Sequence, residues 1–189
     1  MCEKSNTRSL LVGLVGYRCC GKSTVRSILR DLKYPVFDTN SVPTGDPDAN
    51  TISLDEILIR YGRGFSYINF IEPALRNYLS TTGRLGFVDS LKVASDREVI
   101  QRLFPQCQVE IWYVHASFHT RKIRYLERDL LCGLRNQPLE DHDTTLEKHG
   151  IISLIKQATE VINTELEIDI VQHLLQIAIA RAQIRLDIV

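Results

Sequence analysis

A glycine-rich segment near the start of the chain has the spacing of a loop that binds phosphate. All four fixed positions of the pattern GxxxxGK[ST] are filled, from Gly16 to Ser23. In such a loop the backbone N–H groups turn inward around phosphate oxygens, Lys22 reaches the outer phosphates, and the Ser23 hydroxyl is a ligand of Mg²⁺. The residues predicted to bind the nucleotide follow one another without a gap: Gly16, Tyr17, Arg18, Cys19, Cys20, Gly21, Lys22, Ser23 and Thr24.

Two aspartates and three arginines have positions that suit phosphoryl transfer. Asp38 and Asp89 each follow a predicted strand, so both carboxylates should lie near the phosphate loop, where they could hold a metal-bound water or orient an acceptor. The alternative is that each aspartate only caps a turn or helix. Arg121, Arg124 and Arg128 recur at i, i+3 and i+7, which predicts a basic stripe that either contacts phosphates or is a solvated helix face.

Short apolar runs and segments of helical periodicity alternate along the chain and must position these residues. The predicted strands are Ser9–Val15, Tyr34–Asp38, Gly86–Asp89, Val109–Val114 and Glu160–Asn163. The predicted helices cover 22–33, 53–62, 65–80, a segment beginning with a capping box at Ser95 and Glu98, 118–131 and 166–186. Residues 134–149 are polar and are predicted to be irregular.

This alternation predicts a three-layer, doubly wound α/β domain with a parallel sheet of about five strands, of the type found in P-loop NTPases. We expect residues 1–189 to form one such domain. Residues 51–82 would be the helices on the acceptor side, where Arg60 and Arg63 are candidate acceptor-binding residues. Residues 129–150 would be a segment resembling a lid over the nucleotide.

Composition excludes some partners and favours a cytoplasmic protein. The 189 residues include 23 Lys and Arg and 23 Asp and Glu, so the net charge of zero disfavours nucleic-acid binding driven by bulk charge. No secretion signal or membrane span is evident. The five cysteines have no metal-ligand spacing and are odd in number, which favours reduced thiols.

A nucleotide site does not by itself define a reaction. GTPases carry DxxG and NKxD motifs, and neither occurs in this chain. ATPases that use a glutamate after the Walker B aspartate also match poorly, because Ser90 follows Asp89. The class that remains is a small-molecule kinase, which needs ATP, Mg²⁺, acidic groups for the metal or acceptor, and arginines that neutralise phosphate.

With these motifs, the chain resembles the nucleoside-monophosphate-kinase group of P-loop kinases, and most closely the archaeal dephospho-CoA-kinase-like family. The resembling segments are GYRCCGKST (16–24), IRYG (59–62), VDSLK (88–92), which is similar to VDGIR, VHAS (114–117), the dipeptide TR (120–121) and ATEVINTE (158–165). The resemblance implies that Asp89 is the Walker B aspartate and that Lys92 replaces a phosphate-binding arginine. It also implies that the three arginines of the basic stripe contact phosphates or adenine, and that Asn163 and Thr164 lie beside the base.

Spacing and resemblance together give the candidate site. The candidate catalytic residues are Lys22, Asp38, Asp89, Arg124 and Arg128. The candidate metal ligands are Ser23 and Asp89. The candidate nucleotide-binding residues outside the loop are Arg121, Asn163 and Thr164.

Departures from the family pattern leave two functions open. Cys19 and Ser90 stand where glycine is usual, and residues 129–150 contain two basic and five acidic residues, a net charge of −3. An acidic lid closes poorly over polyphosphate. The first hypothesis is therefore an ATP-dependent kinase acting on a nucleotide or nucleoside-like acceptor, and the second is a nucleotide-binding sensor or assembly subunit with little or no kinase activity.

The last predicted helix is apolar on more than one face. One stripe contains Val171, Leu174, Leu175, Ala178 and Ala182, whereas Ile170, Ile177, Ile184 and Ile188 lie largely outside it. A second apolar face predicts a homo-oligomer, most simply a two-fold dimer, or a different protein partner. The alternative is that helices of the same domain cover both faces.

The two cysteines of the phosphate loop, Cys19 and Cys20, are expected to have lowered thiol pKa values, because a helix begins just after them. The alternative is that both face the interior and act as small apolar side chains.

Overall fold

The computed structural model describes residues 9–39, 68–81, 84–132 and 138–188. Its strands are β1 (Ser9–Val15), β2 (Val36–Asp38), β3 (Leu85–Leu91), β4 (Cys107–His115) and β5 (Ala158–Asn163). Its helices are α1 (Lys22–Asp31), α2 (Ile68–Thr81), α3 (Asp96–Leu103), α4 (Phe118–Cys132), α5 (Leu139–Lys148), α6 (Ile151–Lys156) and α7 (Ile168–Ile188).

The five strands form one sheet in the order β2-β3-β1-β4-β5, and every neighbouring pair is parallel. Parallel strands need crossover connections, which here are the helices between successive strands. The sheet is therefore the predicted doubly wound parallel sheet of an α/β protein. Strand β1 is central, so the phosphate loop that follows it begins in the middle of the sheet's carboxyl edge.

Helices pack on both faces of the sheet, which explains why β1 is apolar along its whole length. Leu10, Val12 and Leu14 are fully buried in a core shared with α1 and α7. Leu11 and Val15 point to the opposite face and are buried in a core shared with α2, α3 and α6. A strand buried on both faces has no reason to alternate polar with apolar residues.

Most of the predicted elements are present in the structure. The first strand matches to the residue, and the other four differ from their predicted bounds by one to two residues at most ends. Pro35 immediately precedes the edge strand β2, which is where a proline that cannot donate a hydrogen bond is tolerated. The predicted helix 53–62 and the arginines Arg60 and Arg63 lie outside the described residues.

Two local predictions are wrong. Residues 139–148 are not irregular but form α5, because Leu139 is buried and Glu140 and Asp141 favour the helix N-terminus electrostatically. Ser95 makes no side-chain capping bond, and Asp96 instead accepts hydrogen bonds from the backbone N–H groups of Lys92 and Val93.

Within the described ranges, no helix is both long and apolar enough to cross a membrane.

Candidate functional site

The loop between β1 and α1 can have its shape only because both fixed glycines lack a side chain. A Cβ added to Gly16 would lie 2.5 Å from the carbonyl oxygen of Val114, and one added to Gly21 would lie 2.7 Å from Oγ1 of Thr164. Gly21 also has a φ of 95°, in the left-handed region. The loop is thus wedged between the ends of β4 and β5, with Lys22 at the start of α1. Lys22 Nζ donates to the carbonyl oxygens of Gly16 and Tyr17.

The two positions at which the resembling family has glycine both adopt left-handed backbone conformations. Cys19 has a φ of 60° and Ser90 has a φ of 74°. Non-glycine residues seldom adopt such angles, and doing so costs about 1 kcal/mol each. The backbone therefore keeps the shape for which glycine is usual, although the side chains have changed.

The prediction of a lowered thiol pKa fails at Cys19, and Cys20 is buried in the core. Cys20 is 1% exposed and belongs to the core shared by α1 and α7. Cys19 is half-buried, and this burial raises the pKa of its thiol, although Arg18 acts in the opposite direction. The expectation of a lowered pKa is wrong for Cys19 because desolvation of the thiolate outweighs the neighbouring cations.

We expect bound MgADP to slow the alkylation of Cys19, because phosphates in the loop would cover it. Cys20 should react slowly with or without nucleotide, since it is already buried. Cys107 serves as an internal control, because it lies at the opposite end of the sheet and its burial raises its thiol pKa to about 11. Mass spectrometry after timed alkylation checks this, and an unchanged rate at Cys19 with saturating MgADP would count against the loop as the nucleotide site.

Arg124 and Thr164 tie two other elements to the phosphate loop. Arg124 donates to the carbonyl oxygen of Thr164 at 2.6 Å and to that of Cys19 at 3.4 Å. The hydroxyl of Thr164 donates to the carbonyl oxygen of Cys20 at 2.6 Å. The side chain of Asn163 caps its own turn by accepting from the N–H of Glu165. The structure therefore brings Arg124 and Thr164 to the loop, whereas Asn163 is engaged next to it.

The two candidate aspartates lie side by side on neighbouring strands. Asp38 of β2 is in register with Asp89 of β3, and Arg26 of α1 bridges them by donating to Oδ2 of each, at 3.0 Å for Asp89. Burial raises the pKa of the Asp89 carboxyl, and the nearby Asp38 raises it further. Burial also lowers the pKa of Lys92, which lies in the same surroundings, to about 8.

The residues around Asp89 fit a magnesium ion. Oδ1 of Asp89 is buried and has no hydrogen-bond partner among the described residues, so one carboxylate oxygen is left to accept a ligand water. No group of three or more His, Cys, Asp and Glu side chains forms a metal site in the described ranges. Mg²⁺ at phosphate sites does not need one, because it uses one or two carboxylates, water and the phosphates. Ser23 is exposed at the start of α1.

The acidic helix α5 contacts the phosphate loop through two of its side chains and the neighbouring Arg121 through a third. Arg121 of α4 makes a bidentate ion pair with Asp143, at 2.9 and 2.7 Å, and its guanidinium lies 4.8 Å from the ring centre of Tyr17. The Tyr17 hydroxyl donates to Glu147 at 2.9 Å, and Arg18 hydrogen-bonds to His142. Burial, followed by the bond to Glu147, raises the pKa of Tyr17.

The basic stripe of α4 does not form a uniform solvated face. Arg121 is 5% exposed, and its Nε has no hydrogen-bond partner among the described residues. Arg124 is half-buried against the loop. Arg128 is exposed one turn later and makes no hydrogen bond or ion pair with the described residues. The spacing of the three arginines in the sequence could not predict that their side chains differ in solvent exposure.

No protein-family model matches the chain, and no curated protein is similar enough to count as a relative. Solved structures do match. Shikimate kinase from Acinetobacter baumannii in complex with shikimate superposes with a TM-score of 0.53, covering 94% of this chain and 97% of its own at 18% identity. A gluconokinase from Sinorhizobium meliloti has a TM-score of 0.53, covering 96% and 97% at 14% identity. A protein from Chloroflexus aurantiacus whose kinase assignment is provisional has a TM-score of 0.60, covering 90% and 98% at 17% identity.

The chain has the fold of the P-loop kinases. Identities this low show the fold alone. The names of these three proteins do not include a nucleotide kinase, so the finer likeness to the dephospho-CoA-kinase-like family stays a prediction.

Four residues at the site were not found from the sequence as contacts of the loop or the aspartates: Arg26, His142, Asp143 and Glu147. Arg26 had a usable signal, because it lies four residues after Lys22 and therefore on the same face of α1. The acidic residues of α5 were noticed only as charge. Their contacts could not be found, because residues 134–149 were predicted to be irregular and no helical face was assigned.

Proposed function

We propose that this protein is an ATP- and Mg²⁺-dependent kinase that transfers a phosphoryl group to the hydroxyl or phosphate of a small molecule, with a nucleotide or nucleoside-like acceptor as the first choice. The observation that carries the proposal is the phosphate loop with Lys22 at its end and the buried carboxylate of Asp89 on the neighbouring strand. A P-loop kinase fold supports the reaction class, and the solved structures with this fold include a shikimate kinase and a gluconokinase.

Each side chain has a proposed part in positioning and charge stabilisation, which supply most of the catalysis in phosphoryl transfer. Lys22 would exchange its backbone acceptors for the outer phosphates. Arg124 would hold the loop closed around them through Cys19 and Thr164. Asp38 would orient the acceptor, and Asp89 together with Ser23 would hold the metal, which neutralises charge on the phosphates when bound.

Arg121 and Arg128 extend the proposed site beyond the loop. Arg121 lies on α4, the helix that leads into the lid-like segment. Its Nε is a buried donor with no hydrogen-bond partner among the described residues. A buried donor without a partner costs about 1 to 3 kcal/mol, so an anionic ligand that accepted from it would be stabilised. Arg128 is exposed one turn beyond Arg124, and it would contact phosphate or adenine there.

The second candidate function is a nucleotide-binding sensor or assembly subunit with little kinase activity. The contact that favours the sensor function is the bidentate ion pair between Arg121 and Asp143. In a kinase this arginine would instead bind phosphate. The loss of one cation that stabilises the transition state can lower a rate by about 10³-fold or more. Turnover distinguishes the two functions, since both predict nucleotide binding.

The experiment that tests the proposal is a panel of acceptors incubated with ATP labelled in the γ-phosphate and with Mg²⁺. The panel should contain nucleoside monophosphates, nucleosides, dephospho-CoA and the hydroxy acids shikimate and gluconate. Transfer of label to one class, lost in Asp89→Asn, is the expected result. Nucleotide binding without transfer to any acceptor would favour the sensor, and the absence of both would contradict the two functions.

Replacing Asp143 with asparagine is expected to raise the affinity for MgADP by roughly fivefold, which corresponds to about 1 kcal/mol. Asparagine cannot form the charged bidentate pair, so Arg121 is released to bind phosphate. Calorimetric titration measures the change. Asp141→Asn is the matched control, because it removes the same charge from an exposed position two residues away. Equal gains in both variants would mean that only bulk charge matters, and weaker binding by Asp143→Asn would make Asp143 a supporting residue.

A further inference from the structure

Arg26 lies between the two candidate aspartates and contacts both of them. It is on α1, four residues after Lys22, so the two side chains leave the same face of the helix. Its Nη1 donates to Oδ2 of Asp38 and, at 3.0 Å, to Oδ2 of Asp89. The side chains of Asp38 and Asp89 are only 10% and 3% exposed, so the carboxylates that Arg26 joins are largely buried.

The two carboxylates are close enough to repel each other. Asp38 and Asp89 occupy matched positions on neighbouring parallel strands, which lie about 4.8 Å apart. Ionised carboxylates at such a spacing repel, and burial weakens the screening of that repulsion by water. Because its guanidinium donates to one oxygen of each carboxylate, Arg26 offsets the repulsion and holds the two side chains together.

Arg26 also determines which oxygen of Asp89 remains available. Its hydrogen bond occupies Oδ2, whereas Oδ1 is buried and has no hydrogen-bond partner among the described residues. The last torsion of an aspartate side chain is broad, so a carboxylate that is held at neither oxygen has no fixed direction. By holding Oδ2, Arg26 fixes the direction in which Oδ1 points.

The oxygen without a partner also separates the place of Arg26 from that of the metal. A cation that filled the metal position would contact the oxygen that accepts the ligand water, and Arg26 instead donates to the other oxygen of Asp89. Arg26 and a magnesium ion would thus use different oxygens of one carboxylate. This is the usual relation between a metal ligand and the donor behind it, which orients the ligand.

From this geometry we propose that Arg26 is a positioning residue for magnesium: it orients the Asp89 carboxylate toward the metal and holds Asp38 beside it, without touching the metal or the phosphates. This role rests on the magnesium site of the proposed function but not on turnover, because a nucleotide-binding sensor would use the same arrangement. Loss of a donor that orients a metal ligand typically lowers metal affinity by about 10- to 100-fold.

The test measures how much Mg²⁺ strengthens nucleotide binding in wild type and in Arg26→Met. Methionine keeps an unbranched side chain of good helix propensity and removes the charge. Calorimetric titration with the β,γ-imido analogue of ATP, in excess Mg²⁺ and in EDTA, gives the ratio of the two affinities without turnover. We expect Arg26→Met to lower this ratio by about tenfold or more, while the affinity for the metal-free analogue stays within about threefold of wild type.

Two further variants accompany this measurement. Arg30→Met is the matched control, since it makes the same substitution at an exposed position one turn later on α1, and it should keep the wild-type ratio. Arg26→Lys retains a cation with three donors and should lose less of the ratio than Arg26→Met. A ratio in Arg26→Lys no better than that in Arg26→Met would contradict the role of the cation.

Other results would overturn the proposal in ways that can be told apart. An unchanged ratio in Arg26→Met would mean that Asp89 is oriented without Arg26, and a higher ratio would mean that Arg26 competes with the metal. Equal losses with and without Mg²⁺ would make Arg26 a phosphate ligand or a support of the whole loop. If the affinity of wild type is independent of Mg²⁺, the magnesium site of the proposed function is refuted, and this role of Arg26 falls with it.

Discussion

Lys22→Ala is expected to weaken the binding of MgADP by about 10- to 100-fold. The reason is the loss of a charge-assisted hydrogen bond to phosphate, which is worth about 1.5 to 3 kcal/mol. Lys22 is the first residue of α1, and its ammonium donates hydrogen bonds to the carbonyl oxygens of Gly16 and Tyr17 in the same loop. Calorimetric titration of both proteins with MgADP measures the effect.

Arg30→Ala is the matched control for this change, because Arg30 is an exposed cation in the last turn of the same helix. Its affinity should stay within about twofold of wild type if only exposed charge is lost. Equal affinity for MgADP in wild type and Lys22→Ala would contradict the assignment of the loop as a phosphate-binding site.

Arg185→Ala should have the largest effect on stability, a loss of about 3 kcal/mol in the free energy of unfolding. Arg185 donates from Nε and Nη2 to the two carboxylate oxygens of Glu110, both at 2.7 Å, and Glu110 is 3% exposed. Removing the arginine leaves a buried carboxylate without its cation. Arg181→Ala, which breaks an exposed pair with Glu160 one turn earlier, should cost no more than about 1 kcal/mol. Urea unfolding compares the two.

The loss caused by Arg185→Ala should shrink as the pH falls. In wild type, burial raises the pKa of Glu110, but hydrogen bonds from Arg185 and Trp112 outweigh it and lower the pKa. Because the pKa of Glu110 is lower in the folded state, the pair stabilises the protein fully at pH values above the unfolded-state pKa of about 4.3. This stabilisation is lost as the pH falls through the lower folded-state pKa. In the variant the cation is gone and burial is opposed only by the hydrogen bonds from Trp112 and Thr159, so protonation of Glu110 removes a buried charge that has lost its counter-ion. A loss independent of pH between 7 and 4.5 would contradict this account.

The strands and the phosphate loop could be predicted because they depend on short-range pattern. Ser9–Val15 is apolar throughout since it is the central strand, and the fixed residues of the loop follow it directly. Gly16 and Gly21 are needed for close approach to Val114 and Thr164, a contact that the motif implies without naming its partners.

The contacts of α5 could not be predicted because they depend on tertiary packing. The segment is polar and has only Leu139 among its fully buried residues, so its periodicity is weak. Asp143 meets Arg121 across 22 residues of sequence, and Glu147 meets Tyr17 across 130. Likewise, Arg26 became a partner of Asp38 and Asp89 only because β2 and β3 pair in register.

A crystal structure of the chain with MgADP tests the central claim most directly. The account predicts the β-phosphate inside the loop of Gly16 to Ser23, within hydrogen-bonding distance of Lys22 Nζ, and the metal on the side of the Asp89 carboxylate. It also predicts that the guanidinium of Arg121 has turned from Asp143 toward the nucleotide. Nucleotide bound elsewhere, or a loop without nucleotide at saturating concentration, would contradict the account.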